Sequence, residues 1–316
     1  MIVAITGGTG FIGKRLVLRH LAAGDTVRVL TRRPSTNTGL PETVHLYHAN
    51  LTNSAEDLIP FVDGADVLYH CAGEIRNEAC MQAVHVTGTN NLLDAAVNKI
   101  GRWVQLSSVG VYGPQFSGII TEETPLNPVG IYETTKTESE RLLIQAGERR
   151  GIDFSILRPC KVYGPEMRNR DLFQLINVIN NGLFFFIGKP GAYANYIHVD
   201  NVVEGLVRCG TMSAAQGKIY NIADSRTLED FVSTISHSLG KPLPTLRLPK
   251  PLVTVIVLSL SWLPRWPLTL SRVAGLTSTC IYSNLRIEQE LEYRHLHLME
   301  DGLCEIVDLW KQTLSV

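Results

Sequence analysis

Tyr132 and Lys136 stand four residues apart in YETTK, a spacing that sets both side chains on one face of a helix. A phenol whose ordinary pKa is about 10 is a poor base at neutral pH, and a nearby ammonium favours its ionised form. The pair is a tunable acid. Alone it is a common coincidence, but a second element stands beside it. The run Trp103-Val104-Gln105-Leu106 reads as a strand that delivers Ser107, Ser108, Val109 and Gly110 at its C-terminal end. That is the edge where open parallel sheets hold ligands, and a serine hydroxyl there can hold a substrate oxygen beside Tyr132.

An anion site is expected at the same edge. Residues 6–13, TGGTGFIG, follow the apolar run Ile2-Val3-Ala4-Ile5 and lead straight into the helical pattern from Lys14, with Phe11 and Ile12 among the candidate cofactor-binding residues. Gly7 can take the positive φ of the tight turn, Gly10 removes a Cβ from the path of a pyrophosphate, and Gly13 lets helix and strand pack closely. The free N–H groups at the helix start favour phosphate without a basic side chain. The second strand ends in Thr31-Arg32-Arg33, where an NAD-binding chain usually has a carboxylate for the adenosine ribose. Arg32 and Arg33 offer donors suited to a 2′-phosphate, so NADP is favoured over NAD. The alternative is a pair of solvated arginines that leaves the preference open.

Strands are expected near residues 2–5, 26–30, 44–48, 67–70, 103–106 and 154–157, several of them continuous apolar runs as a sheet covered on both faces requires. Helical patterns at 14–23, 54–62, 80–99 and 131–150 alternate with them, and Gly24, Gly101 and Gly151 are read as helix stops. The fold class is α/β, a Rossmann-type doubly wound parallel sheet with a smaller, mostly helical C-terminal substrate region. The dinucleotide-binding part is assigned to residues 1–165 plus about 195–225, and the substrate part to about 166–194 plus 226–316.

With 316 residues and a formal charge of −1, the chain has room for two domains and no electrostatic footprint for nucleic acid. Six cysteines without metal-ligand spacing read as reduced thiols, and His295 and His297 lack a third ligand, so no metal is expected. A strand starting at Ile2 leaves no room for a leader, which gives a cytoplasmic expectation. The apolar segment 252–263 is too short to span a bilayer and reads as a buried helix or a pocket wall. Trp262, Arg265 and Trp266 at its end leave contact with a membrane surface as the minor alternative. Glu122 and Glu123, in a loop before Pro125, read as solvated.

Taken in order, the glycine turn, SSVGVYG at 107–113, YETTK at 132–136, LRPCKVYGP at 157–165, YIHVDNVV at 196–203 and YNIA at 220–223 resemble the extended short-chain dehydrogenase/reductase family, also called NAD-dependent epimerase/dehydratase. The resemblance covers nearly the whole chain. It implies that Ser108, Tyr132 and Lys136 form a catalytic triad, with Tyr132 the acid/base and Lys136 binding the nicotinamide ribose. It further implies Pro159 and Val162 beside the nicotinamide, Cys71, Ala72 and Gly73 beside the cofactor, and Asn50 and Leu51 against the adenine. The partners expected are a small-molecule substrate and, as an open arrangement, a second copy of the chain in a homodimer.

Departures from the family pattern narrow the reaction. Val109 and Gly110 follow Ser108 where sugar-nucleotide dehydratases place an acidic residue, so dehydration has no obvious acid there. His85 stands where the family has asparagine, and a histidine bonded to backbone is the simpler reading of it. Lys161 and Asn195 occupy positions that in nucleotide-sugar members help bind a diphosphate; with Ser108 and Val109 they are the substrate candidates, and Arg168, Arg170 and Arg272 are further sources of positive charge. Epimerisation of a nucleotide sugar ranks slightly ahead of one-way NADPH-dependent reduction of a sugar, flavonoid-like or sterol-like carbonyl. A cofactor-binding protein without catalysis ranks last.

Overall fold

The structure is a computed structural model that describes residues 1–316 except 168–169, 261, 263–267 and 315–316. Arg168, Arg265 and Trp266 lie outside the described residues. Seven parallel strands form the main sheet: β1 (Ile2–Thr6), β2 (Thr26–Thr31), β3 (His45–His48), β4 (Ala65–His70), β5 (Ile100–Leu106), β6 (Phe154–Pro159) and β7 (Lys218–Ile222). Their spatial order is β7-β6-β5-β4-β1-β2-β3, which reverses direction at β1 and β4 as a doubly wound sheet does. The six expected strands are all present, and β7 completes the edge.

The longer helices are α1 (Phe11–Ala22), α2 (Ala55–Val62), α3 (Gly88–Ala96), α4 (Ile131–Arg150), α5 (Asp171–Asn180), α6 (Val199–Thr211), α7 (Leu228–Ser238), α8 (Lys250–Leu260), α9 (Leu270–Leu276) and α10 (Met299–Leu314). Side chains alternate across β1, so Val3 and Ile5 pack with Leu16 and Val17 of α1 and Val202 and Leu206 of α6, while Ala4 faces the other side. There Phe61 of α2, Leu92 and Leu93 of α3 and Leu143 of α4 close the second layer. Burial on both faces is why these strands are apolar without interruption.

A separate apolar cluster joins Leu172 and Ile176 of α5, Phe231 and Ile235 of α7, and Leu303 and Ile306 of α10. It backs a small sheet in which Tyr193–His198 pairs with Lys161–Tyr163 and Asp224–Thr227. From Tyr193–His198 in this sheet, α6 leads back to the main one.

Four expectations change. Gly101 is no helix stop: it lies within β5, and a Cβ there would come within 2.5 Å of the Asp66 carbonyl oxygen on β4. The preceding helix instead ends at Ala96, and Asn98 takes the left-handed φ of 57°. The pattern read as one helix over 80–99 is broken into Glu78–Met81, a π-helical turn Gln82–Thr87 and α3. The segment read as a buried helix forms α8, which buries only Val253 and Val257 and leaves Leu252, Val255 and Ile256 exposed. Glu122 is not solvated: its Oε1 accepts from the Asn221 backbone N–H at 2.7 Å, and it is nearly buried beside Arg286. All six cysteines are free.

A buried ion pair ties α4 to the sheet. The guanidinium of Arg158 on β6 donates from Nε to Glu140 Oε1 at 3.0 Å and from a terminal nitrogen to the second carboxylate oxygen. The two side chains are 2% and 1% exposed. The other Arg158 nitrogen donates to the Tyr112 hydroxyl at 2.8 Å, and that hydroxyl donates to Asn221 Oδ1 on β7 at 2.8 Å. Glu140→Gln leaves the buried guanidinium without a counter-charge, so chemical denaturation should show a stability loss of about 3 kcal/mol. A variant as stable as the wild type would mean that the pair contributes packing alone.

Candidate active site

The glycine turn has the conformation its spacing predicts. Gly7 has φ +71°, and a Cβ there would meet the Cys71 carbonyl carbon and the Ala72 nitrogen at 2.7 Å. At Gly13 a Cβ would lie 2.2 Å from the Gly7 oxygen, so helix and strand touch backbone to backbone. Gly10 caps α1 with no side-chain cap, and the first turn carries no acidic residue, so the helix start is left to an anion.

A cleft of about 250 Å³ opens over this turn. Gly7, Gly10, Arg32, Arg33, Asn50, Leu51, Cys71, Ala72 and Gly73 line it, together with Thr9, Glu74 and Val84. Of the other candidate cofactor residues, Phe11, Ile12 and Gly13 belong to the first turn of α1, and Tyr132, Lys136, Pro159 and Val162 stand outside the cleft lining. Arg32 and Arg33 are exposed at its rim, and neither forms an ion pair among the described residues. Burial pushes the Cys71 thiol up to about 12, so it stays protonated.

His85 stands where the cleft meets α4. A Cβ on Gly73 would lie 3.4 Å from its Nε2, and its ring meets the Tyr132 ring edge-on at 5.6 Å between centroids. Its Nε2 accepts from the Glu74 backbone N–H at 2.9 Å, which leaves the proton on Nδ1 to be donated to Thr135 Oγ1 at 2.8 Å. The Thr135 hydroxyl in turn donates to the Ile131 carbonyl at 2.8 Å. Burial lowers His85 to about 4 and fixes the neutral ring. His85 is thus the buried, backbone-bonded histidine that the simpler reading describes, and it also touches Tyr132.

Lys136 is buried and donates from Nζ to the Leu106 carbonyl at 2.7 Å, where β5 ends. Burial pulls it down to about 8, against the pull of Glu140 and Cys71. Tyr132 is pushed up to about 12, by burial first and by the Glu133 carboxylate second. In this state Lys136 is turned to the strand end and the phenol keeps its proton. Ser108 Oγ accepts from the Gly110 N–H at 3.0 Å and starts the short turn Val109–Tyr112, while the neighbouring Ser107 hydroxyl is buried without a hydrogen-bond partner.

The carboxylate absent from the sequence after Ser108 is supplied in space by Glu133. A Cβ on Gly110 would lie 3.1 Å from Glu133 Cγ and 3.3 Å from Ser108 Oγ, so the two side chains flank one glycine. Its one sequence signal is its place beside Tyr132. Asn195 is turned away from substrate work: its amide donates to the Cys280 carbonyl at 3.0 Å and accepts from the Ser225 hydroxyl at 2.6 Å. Lys161 is exposed with Nζ 5.6 Å from the Tyr196 ring, and Val109 is buried. Arg170 caps α5, and Arg272 lies near Asp171 at 3.6 Å. His297 does gain neighbours, since His198 and Asp200 bring ligand atoms within 4.8 Å of it, although both Asp200 oxygens already accept from Arg15.

Comparison with known proteins identifies the family and the fold. The model of the NAD dependent epimerase/dehydratase family matches residues 3–223. The chain is 29% identical to short-chain dehydrogenase/reductase family 42E member 1 of Danio rerio, over 78% of this chain and 70% of that protein. It is 26% identical to 3beta-hydroxysteroid-dehydrogenase/decarboxylase isoform 1 of Arabidopsis thaliana, over 96% of this chain and 78% of that protein. Among solved structures it resembles a UDP-glucuronic acid 4-epimerase from Bacillus cereus in complex with NAD, with a TM-score of 0.75, 21% identity and 99% of each chain covered. That likeness is one of fold.

The buried imidazoles make stability depend on pH. Unfolded, each takes up a proton near its ordinary 6.5, whereas burial delays His85 to about 4 and His70 to about 3. The unfolded chain binds more protons across that window, so this contribution is whole above pH 6.5 and declines as pH falls toward 4. Replacing His85 by Asn should flatten the decline by up to about 1.4 kcal/mol per pH unit in denaturation series. Parallel curves for the two proteins would show that His85 is not held neutral.

Proposed function

This chain belongs to the NAD dependent epimerase/dehydratase family, and we propose that within it the protein is an NADP-dependent oxidoreductase that interconverts a secondary alcohol and a ketone on an apolar, non-nucleotide substrate. It is an extended short-chain dehydrogenase/reductase and an NAD-dependent type of enzyme. The preference for the phosphorylated cofactor rests on Arg32 and Arg33, two exposed guanidiniums at the rim beyond β2 that form no ion pair among the described residues, although the Arg32 charge reaches Glu74 across the cleft. The cleft lining suits a dinucleotide: Gly7 and Gly10 shape its floor, the start of α1 would meet the phosphates, and Asn50 and Leu51 would meet the base, with Pro159 and Val162, outside that lining, assigned to the nicotinamide by the family resemblance alone. A nicotinamide dinucleotide bound there supplies the hydride donor or acceptor.

The observation that carries the substrate class is Asn195, whose amide is fully engaged with Cys280 and Ser225 at a position where nucleotide-sugar enzymes bind a diphosphate. From the sequence alone, nucleotide-sugar epimerisation ranks first; the Asn195 hydrogen bonds, together with a relative named for hydroxysteroid chemistry, support the reverse order. Ser108 holds the substrate oxygen. Tyr132, protonated at neutral pH, gives its proton to a carbonyl oxygen in reduction and takes it back in oxidation. Lys136 supplies the positive charge that the phenolate needs once the proton has gone. The lobe built by α5, α7 and α10 covers the substrate.

Tyr132→Phe should lower turnover by about 10²- to 10⁴-fold while leaving NADPH binding, read by fluorescence titration, within about twofold of wild type. Activity near the wild-type rate would remove Tyr132 as the acid. A panel holding NADPH with a 3-ketosteroid, a simple aliphatic ketone and a UDP-sugar separates the substrate classes. Turnover of the UDP-sugar alone, with stoichiometric NAD released on denaturation, would restore the epimerase reading. Arg32→Asp should weaken NADPH by roughly tenfold relative to NADH, as expected for loss of a charge-assisted phosphate contact; an unchanged ratio would remove that role.

A further inference from the structure

Residues 231–287 contain no Asp or Glu, although the chain has 30 of them, and they carry Lys241, Arg247, Lys250, Arg265, Arg272 and Arg286. The chain as a whole is near neutral, whereas this stretch is net positive because it lacks acids. Helix α8 lies in the middle of it. Its inner stripe, Val253 and Val257, is 1% and 3% exposed and packs against Ile187 and Val273. Its outer stripe is apolar as well: Leu252, Val255 and Ile256 are 49%, 60% and 37% exposed at the i, i+3, i+4 spacing of one helix face. Just beyond the helix, Trp262 is 76% exposed with its ring N–H donating to the Ser259 carbonyl.

A surface helix of a water-soluble domain normally turns charged residues outward. Here the outward face has none. Lys250 opens the helix, and Gly188, the neighbour of exposed Lys189, lies against it: a Cβ on Gly188 would be 3.7 Å from Lys250 Cβ. Neither lysine forms an ion pair among the described residues. Arg247, Arg272 and Arg286 are paired with Glu229, Asp171 and Glu123, so Lys250 at the start of α8 and Lys189 beside it, with Lys241 further off in sequence, carry the charge that no ion pair among the described residues offsets. An apolar stripe, an exposed tryptophan and lysines with no acid nearby match the chemistry of a lipid headgroup boundary.

We propose that the outer face of α8 docks this protein on an anionic phospholipid surface. No helix among the described residues is long and apolar enough to cross a membrane, and the docking proposed is to the surface of one leaflet. Leu252, Val255, Ile256 and Trp262 enter the acyl boundary while Lys250 and Lys189 stay at the phosphates. The proposal stands on exposure and charge alone, independent of the catalytic reading, and its test needs no substrate.

The full-length protein is mixed with vesicles of phosphatidylcholine, with or without one third phosphatidylglycerol, and sedimented. At least about fivefold more protein should pellet with the anionic vesicles at low salt, and the excess should shrink as salt is raised. The Leu252→Glu/Val255→Glu variant should stay in the supernatant while its circular dichroism and NADPH binding match wild type. Three results would overturn the proposal: wild type left in solution with both vesicles, the double variant pelleting as wild type does, or a wild-type dimer in sedimentation equilibrium that the variant dissociates. The last would assign the face to a second copy of the chain.

Discussion

Helix α4 turns an unusually polar face toward the protein interior, and the need to satisfy that face fixes the site. Thr135, Lys136, Ser139 and Glu140 are all buried, with only Leu143 and Ala146 supplying apolar contacts on the same side. A helix held by apolar packing alone can rotate or slide at little cost, whereas each buried polar group here must find one particular partner. Thr135 meets His85, Lys136 meets the carbonyl at the end of β5, Ser139 meets Gln105 and Thr89, and Glu140 meets Arg158. The partners lie on different elements, so no single shift of the helix keeps them all. Glu140 carries the greatest share, because an unpaired buried charge costs more than an unpaired hydroxyl. The orientation of Tyr132 follows from the four residues that come after it.

The π-helical turn before α3 belongs to the same network. Its extra residue displaces the hydrogen-bond ladder, and the Thr89 hydroxyl donates to the His85 carbonyl at 2.5 Å. That hydroxyl has one proton, so the other contacts run toward it: Ser139 donates to Thr89, and His70 donates from Nε2 at 3.1 Å. His70 Nδ1 then accepts from the Thr6 hydroxyl at 2.7 Å, and Thr6 Oγ1 accepts from the Ala72 N–H at 3.2 Å. A directed chain of bonds therefore runs from the end of β1, under the cleft, to the turn that holds His85. The cleft floor and the wall beside Tyr132 are parts of one hydrogen-bonded unit.

What was legible in the sequence was whatever is set by local pattern. The strands show as continuous apolar runs because both faces are covered, α4 ends at Gly151 in the left-handed conformation its glycine allows, and the turn at Gly7 shows its geometry in its spacing. What was not legible depends on contacts from far along the chain. Gly101 looks like a helix stop until Asp66 is placed beside it, and Glu122 looks solvated until β7 presents the Asn221 N–H. Asn195 looks available to a ligand until Cys280 and Ser225 claim both ends of its amide. Glu133 was hidden differently, since a helix folds it back over Gly110 and a linear reading finds no acid near Ser108. The helix at α8 was legible but its burial was not, because an apolar pattern does not record whether protein covers the face that carries it.

One cause sets both titrations at the site. Removal from water disfavours charge of either sign, so it raises the Tyr132 phenol to about 12 and lowers the Lys136 ammonium to about 8. Together the two shifts favour a neutral phenol and an ammonium that is only loosely held. Such a site resists forming phenolate in isolation. It accepts one when an adjacent positive charge appears in the same dry volume, because the interaction between opposite charges grows as the local dielectric falls. The burial that makes Tyr132 a poor base alone thus makes its ionisation sensitive to whatever else occupies the cleft. The Glu133 carboxylate adds to that resistance from outside the Tyr132–Lys136 pair, and it does so next to the Ser108 hydroxyl where a substrate oxygen is expected to sit.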